Sequence, residues 1–220
     1  MDNSHKAPSL DEFQIATVDD VLRIGIVATA GFKHSPLFRW ERPFHEKYPE
    51  DTLASYRRQF QADIKSNDFV VLVREDAYKP REGEKNEAVI PPHNGWEPPV
   101  AGAKVVVGVM SLKLEPNSPR SGQFKDQTDA GMELPTFESK GRDLNRRHYD
   151  SWSELSGSKK AEHCPGDSVI SMIVVHPAYR GRGHGTALMH WAKELSVLDG
   201  IKQCVSAVPM SAPYFLDHCR

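Results

Sequence analysis

The stretch that most constrains this chain is residues 168–199. "SVISMIVV" (168–175) is almost continuous apolar sequence, as expected of a central strand covered on both faces. "TALMHWAKELSVLDG" (186–200) spaces Leu188, Trp191, Ala192, Leu195 and Leu198 for one helical face, and Asp199-Gly200 supplies a stop. Between the two runs, Gly181, Gly183 and Gly185 alternate with Arg182 and His184, with Arg180 ahead and Thr186 behind. A helix begins with backbone N–H groups that lack intrahelical partners, and its dipole adds partial positive charge there. Glycines remove the side chains that would keep an anion away from that backbone. The turn therefore reads as a phosphate site, with Arg180, Gly181, Arg182, Gly183, His184, Gly185 and Thr186 as its candidate residues.

Spacing separates the phosphate binders that share this logic. A P-loop needs G-x-x-x-x-G-K-[ST], and no lysine stands where it should. The dinucleotide fingerprint is G-x-G-x-x-G, whereas this turn reads G-x-G-x-G, and "QCVSAVPM" offers no acidic residue at the end of the next strand. An RGG segment would be repetitive, and this is one copy between ordered elements. The spacing that fits is R-x-x-G-x-G, Arg180 to Gly185, directly after "VVHPAY". It resembles motif A of the GCN5-related N-acetyltransferases, the GNAT family, whose amides hold the pyrophosphate of coenzyme A. "HEKYPED", "WEPPV", "KLEP" and "GRDL" are also similar to a group of fungal members of that family.

Element order extends the resemblance from about Phe13 to Arg220. "FQIAT" (13–17) alternates as a short strand. Thr17 with Asp19 and Asp20 caps a helix to about Ala30. "DTLASYRRQFQADIKSN" (51–67) places Leu53, Tyr56, Phe60 and Ile64 on one face. "DFVVLVRE" (68–75) and "VVVGVMSLKLE" (105–115) read as strands, "QCVSAV" (203–208) as another, and "SAPYFLDHCR" (211–220) opens like a helix. The expected fold is α/β: a mixed, mostly antiparallel twisted sheet flanked by helices, one N-acetyltransferase domain over 1–220. Two proline-rich insertions, 76–104 and 116–167, interrupt it. The second contains "DLNRRHYDSWSEL" (143–155), with Leu144, His148, Trp152 and Leu155 at helical spacing. That helix docks through Trp152 on the plainer reading and walls a substrate on the sharper one. Relative to the family, the sequence stops short of a final strand, so an open sheet edge is expected, and with it a possible homo-oligomer contact.

Composition sets outer limits. With 28 Lys and Arg against 30 Asp and Glu, the net charge is −2, which gives no reason to expect nucleic acid as a partner. No apolar run approaches the ~20 residues of a membrane span. The polar N-terminus and three cysteines suggest a cytoplasmic protein without a disulfide framework. No C-x-x-C or H-E-x-x-H spacing marks a metal site.

The resemblance implies acetyl transfer from acetyl-CoA to an amine by direct attack on the thioester. In the family the strand before motif A splays from its neighbour and its amides bind the pantetheine arm; the matching positions are Ile173, Val174 and Val175. Tyr214 falls where a tyrosine often protonates the departing thiolate. No carboxylate lies on 168–175 to act as base. Asp167 and Glu115 flank the strands, and His148, Tyr149 and His176 remain without support. A small-molecule amine is the expected acceptor, because no acidic stretch suits a basic protein tail. Acetylation of protein or peptide amines, CoA binding without catalysis, and nucleotide binding at the same turn are the alternatives.

Overall fold

The strand pattern Phe69–Ala77 builds the fold. Successive side chains on a strand point to opposite faces, and here Val71 and Val73 enter one core while Val70 and Leu72 enter another. Both faces are apolar, so both need helical cover. The computed structural model describes residues 7–125 and 135–218, apart from the side chains of Tyr214, Asp217 and His218. Its elements run β1 (Gln14–Ile15), α1 (Val21–Phe32), α2 (Pro36–Glu41), α3 (Pro49–Lys65), β2 (Phe69–Ala77), β3 (Lys104–Lys113), α4 (Arg146–His163), β4 (Ser168–Val175), α5 (His184–Asp199), β5 (Gln203–Val205) and α6 (Ala212–His218). The sheet order is β1-β2-β3-β4-β5. Its first three pairings are antiparallel and β4–β5 is parallel, the mixed, mostly antiparallel sheet that was expected.

Helices α1 and α3 cover one face with Ile24, Val27, Phe60 and Ile64. Helix α5 covers the other with Leu188, Met189, Trp191 and Leu195, joined by Phe215 of α6. Fully burying one such side chain contributes roughly 1.5–3 kcal/mol. At the entry to α1 the Asp20 carboxylate accepts from both the N–H (2.8 Å) and the hydroxyl (3.1 Å) of Thr17. This closes a 3-10 turn at Val18–Asp20 before α1 begins. No described helix is long and apolar enough to cross a membrane.

The first insertion is tied down by a buried polar cluster. The guanidinium of Arg23 donates to both oxygens of Glu82 and, through Nε, to the Val106 carbonyl. Tyr179 donates its hydroxyl proton to Glu82 at 2.9 Å and accepts the Lys79 N–H at 3.0 Å. Burial pushes the Glu82 carboxyl up, but Arg23, His176 and Tyr179 outweigh it and hold the group below its ordinary value. Burial, opposed by Glu82, takes His176 down to about 4, so its ring is neutral at pH 7. The "HPAY" turn leading into the glycines is thus fixed from beneath by residues of the insertion.

Several expectations are corrected. Helix α2 was not foreseen; Ser35 Oγ accepts the Leu37 N–H and Pro36 opens it, both ordinary start signals for a helix only six residues long. Helix α4 starts later and runs further than 143–155. It buries no residue, and Leu155 is exposed because nothing packs over that face. Leu198 is likewise exposed, near the end of α5. Strand β5 keeps only three of the six expected residues, since the chain then turns away from β4. Cys164 and Cys204 form a disulfide, with Cα atoms 6.1 Å apart. Cys164 precedes β4 and Cys204 lies in β5, so parallel pairing brings together residues whose sequence separation hides the contact. Cys219 lies outside the described residues.

Candidate active site

Strand β4 has two different halves. Ser168, Val169 and Ile170 pair with β5, and beyond Ile170 that side of the strand has no β partner among the described residues. The other side stays on β3 as far as Val175, and the His176 N–H continues the ladder by donating to the Val107 carbonyl at 2.9 Å. In an antiparallel pair, alternate residues bond to the partner and the others turn their backbone groups outward. Counting back from His176, Val174 and Met172 bond to β3, while Ile173 and Val175 face the gap. Of the three positions singled out in the sequence, two therefore present amides and carbonyls to it. Val174 instead packs its side chain against Gly31 of α1, where an added Cβ would collide with Val174 Cγ2. Register passes from Ser111–Met172 to Leu112–Ile170, leaving Ser171 as a bulge, a device that bends a strand and re-aims its neighbours.

The glycine turn lies at the end of this gap. Gly181 (φ 76°) and Gly183 (φ 84°) adopt the left-handed region that glycine enters without strain. Both are exposed, and a Cβ built on either meets no atom within 4 Å. Gly183 is the N-cap of α5, and His184, Gly185 and Thr186 form its first turn. The side chains divide. Arg180 lines the cleft and donates to the Gly31 carbonyl at 3.0 Å. Arg182 and His184 turn to Asp76 at the end of β2, at 2.6 and 3.1 Å. Burial raises the Asp76 carboxyl, but hydrogen bonds from Arg182, the Ala77 N–H and His184 outweigh it and hold the group at about 2.

From the turn a cleft of about 390 Å³ runs along the open side of β4, bounded by Val205, Val208 and Phe215 opposite. It shares Phe32, Leu37, Trp152, Ser171 and Met172 with a second chamber of about 270 Å³. The second chamber adds Phe38, Tyr56 and Tyr149, and one carboxylate, Glu41. Burial, opposed only by Arg42, lifts Glu41 to about 7. Arg42 itself is committed to Asp143 and Ser55. His34 lines the first chamber and contacts Glu87 at 3.3 Å, while its buried Nε2 has no partner among the described residues.

The sequence-nominated bases fall elsewhere. Asp167 and Glu115 lie at the β5-paired end of the sheet and line neither chamber. His176 is buried beneath the "HPAY" turn. His148 stacks on Trp40 (centroids 4.3 Å apart), and its Nδ1 meets the Trp40 carbonyl at 2.7 Å, clamping α4 to α2. Tyr149 does reach the second chamber. The Tyr214 side chain lies outside the described residues; its neighbours Ser211 and Phe215 line the cleft. Sequence reasoning missed Glu41, the last residue of the short α2, and His34 just before that helix; the Ser35-Pro36 start signal marks it. Among the described residues no cluster suits a metal ion.

Comparison with known proteins agrees with this geometry. The Acetyltransferase (GNAT) family model matches residues 149–211, covering β4, the glycine turn and α5. A protein of the fungus Stachybotrys chartarum named "Acetyltransferase" is 30% identical over 209 residues, 95% of this chain and 80% of that protein. The crystal structure titled histone acetyltransferase HPA2 and related acetyltransferase, from Corynebacterium glutamicum, superposes with a TM-score of 0.51. At 14% identity over 93% of this chain and 81% of that one, it shows the fold alone. A motif, a sheet and a full-length relative thus agree, and the chain belongs to the GNAT family of acetyltransferases.

Proposed function

We propose that the enzyme binds acetyl-CoA along the open side of β4 and transfers its acetyl group to a small-molecule amine by direct attack. The observation that carries this reading is the divided β4. Pairing to β5 ends at Ile170, and Ile173 and Val175 line a cleft that reaches Arg180, next to the glycine turn that opens α5. The pyrophosphate fits the first turn of α5, where N–H groups and dipole favour an anion and Gly181 and Gly183 leave the backbone bare. Arg180 adds charge from the rim. Arg182 and His184 serve mainly to hold the turn through Asp76. The pantetheine amides find partners in Ile173 and Val175, while Val174 shapes the wall.

An outward amide of β4 is also suited to the negative charge that develops on the thioester oxygen. Tyr214, on the helix beside the cleft mouth, is assigned as proton donor to the leaving sulfur. The amine arrives from the second chamber, which meets the first at the Ser171 bulge. The small-molecule preference draws support from α4, whose Trp152 and Ser156 wall both chambers and narrow the approach. Calorimetry with CoA, followed by free-thiol release with acetyl-CoA and a panel of amines and peptides, tests the reading. Saturable CoA binding and turnover on small amines are expected. Absent CoA binding overturns the cofactor site, and turnover confined to peptide N-termini or lysines overturns the acceptor class.

A further inference from the structure

The second chamber carries chemistry that the CoA cleft does not need. Its lining mixes aromatic and polar groups: Phe32 stacks on Tyr56 with centroids 5.5 Å apart, Phe38, Tyr149 and Trp152 also line it, and Gln59, Ser153 and Lys160 lie among them. Into this surface α2 delivers one carboxylate. Among the described residues no hydrogen bond or ion pair reaches the side chain of Glu41. Its cationic neighbour Arg42 is turned to Asp143 and Ser55 and lies over the Tyr56 ring. A half-buried acid without a partner among the described residues, beside five aromatic side chains and next to the cleft proposed for acetyl-CoA, calls for a cation on an apolar body.

We propose that Glu41 receives the ammonium group of a primary amine carried on a ring-sized apolar body, and takes its proton before attack. The proposal rests on the acetyl-transfer reading above. The aromatic walls hold the body by burial and attract the cation by their ring faces. Glu41 removes one ammonium proton, freeing the nitrogen lone pair. That pair forms the N–C bond at the thioester carbonyl carbon. The C–S bond then breaks, and sulfur leaves with its electron pair. The second nitrogen proton ends on sulfur, giving amide and free thiol, and the proton on Glu41 passes to solvent after release.

Burial favours the protonated acid, and a carboxyl lifted to about 7 is well matched to taking a proton at neutral pH. The other charged and titratable groups around the chamber are Arg42, which caps the end of α2, with its partner Asp143, Tyr56 on α3, and Tyr149 and Lys160 on α4. Burial and nearby Lys113 lower the Lys160 pKa.

The test compares the wild-type enzyme with Glu41→Gln, using CoA calorimetry together with steady-state kinetics on 2-phenylethylamine, n-butylamine, spermidine and a lysine peptide. CoA affinity is expected to stay within twofold in the variant, which separates this proposal from the cofactor site. For the wild type, kcat/KM is expected to be highest for 2-phenylethylamine, rising with pH through an inflection near 7. In Glu41→Gln it should fall about 100-fold or more, and the inflection should disappear. Any of three results overturns the proposal: wild-type kcat/KM and pH profile in Glu41→Gln, preference for spermidine or the peptide, or loss of the inflection in His34→Gln instead. If Glu41→Gln fails to fold, Glu41→Asp decides: an inflection moved away from the wild-type value supports the role, and an unmoved one overturns it.

Discussion

At the scale of single residues, the glycine turn rests on what is missing rather than on what is present. Gly183 has a positive φ and open space where a Cβ would stand. Gly183→Ala therefore adds about 1 kcal/mol of backbone strain and little bulk. Gly183→Asp adds no more strain than that, because aspartate tolerates this region comparatively well, but sets a negative charge where the pyrophosphate would lie. We expect CoA affinity to fall a few-fold in the first variant and more than 100-fold in the second, measured by calorimetry with folding checked by circular dichroism. Equal affinities in the two would place the anion elsewhere. The glycines and the helix they open were legible in the sequence because both are local, whereas the turning of Arg182 and His184 to Asp76 was not. Glu41 was not: its character arises from α3 and α4 closing around it, and nothing in "FRWERPF" announces that company.

Elements differ in how much of their position they set for themselves. Strand β4 and helix α5 were readable from apolar run, period and cap, since each is bounded by its own residues. The bulge at Ser171 and the early end of β5 left no mark, because both depend on register with neighbouring strands. Helix α4 shows the limit of periodicity: Leu144, His148, Trp152 and Leu155 are correctly spaced, yet only part of that face meets anything. The "HPAY" turn is an opposite case, held by residues 97 to 100 positions away. Glu82→Gln leaves Arg23 buried without its counter-charge, which costs about 3–5 kcal/mol and should lower the denaturant midpoint accordingly. Because the folded Glu82 pKa lies below its ordinary value, its stabilisation is present above the ordinary carboxylate range. It is lost as the pH falls through the lowered folded value. Acid titration of unfolding should show a shallower loss in Glu82→Gln than in wild type.

Over the whole molecule, the fold divides labour between two halves of one sheet. Antiparallel pairing runs unbroken from β1 to β4, and the parted β4–β5 pair opens the side proposed to bind the cofactor. That plan could be inferred from the order of elements, whereas the second chamber could not. It is assembled from α1, α2, α3, α4 and β4, which meet only in three dimensions. The Cys164–Cys204 bond bears on this chamber, since it staples the end of α4 to β5 across a sequence separation of 40 residues. By loop-closure entropy such a link contributes about 4 kcal/mol. A Cys164→Ser variant, or wild type in excess dithiothreitol, should unfold at lower denaturant and expose α4 to limited proteolysis first. The choice of reductant thus becomes a variable in any assay of this enzyme: kinetics gathered with thiol-free and thiol-containing buffers describe a fastened and an unfastened catalyst, and should be compared only like with like.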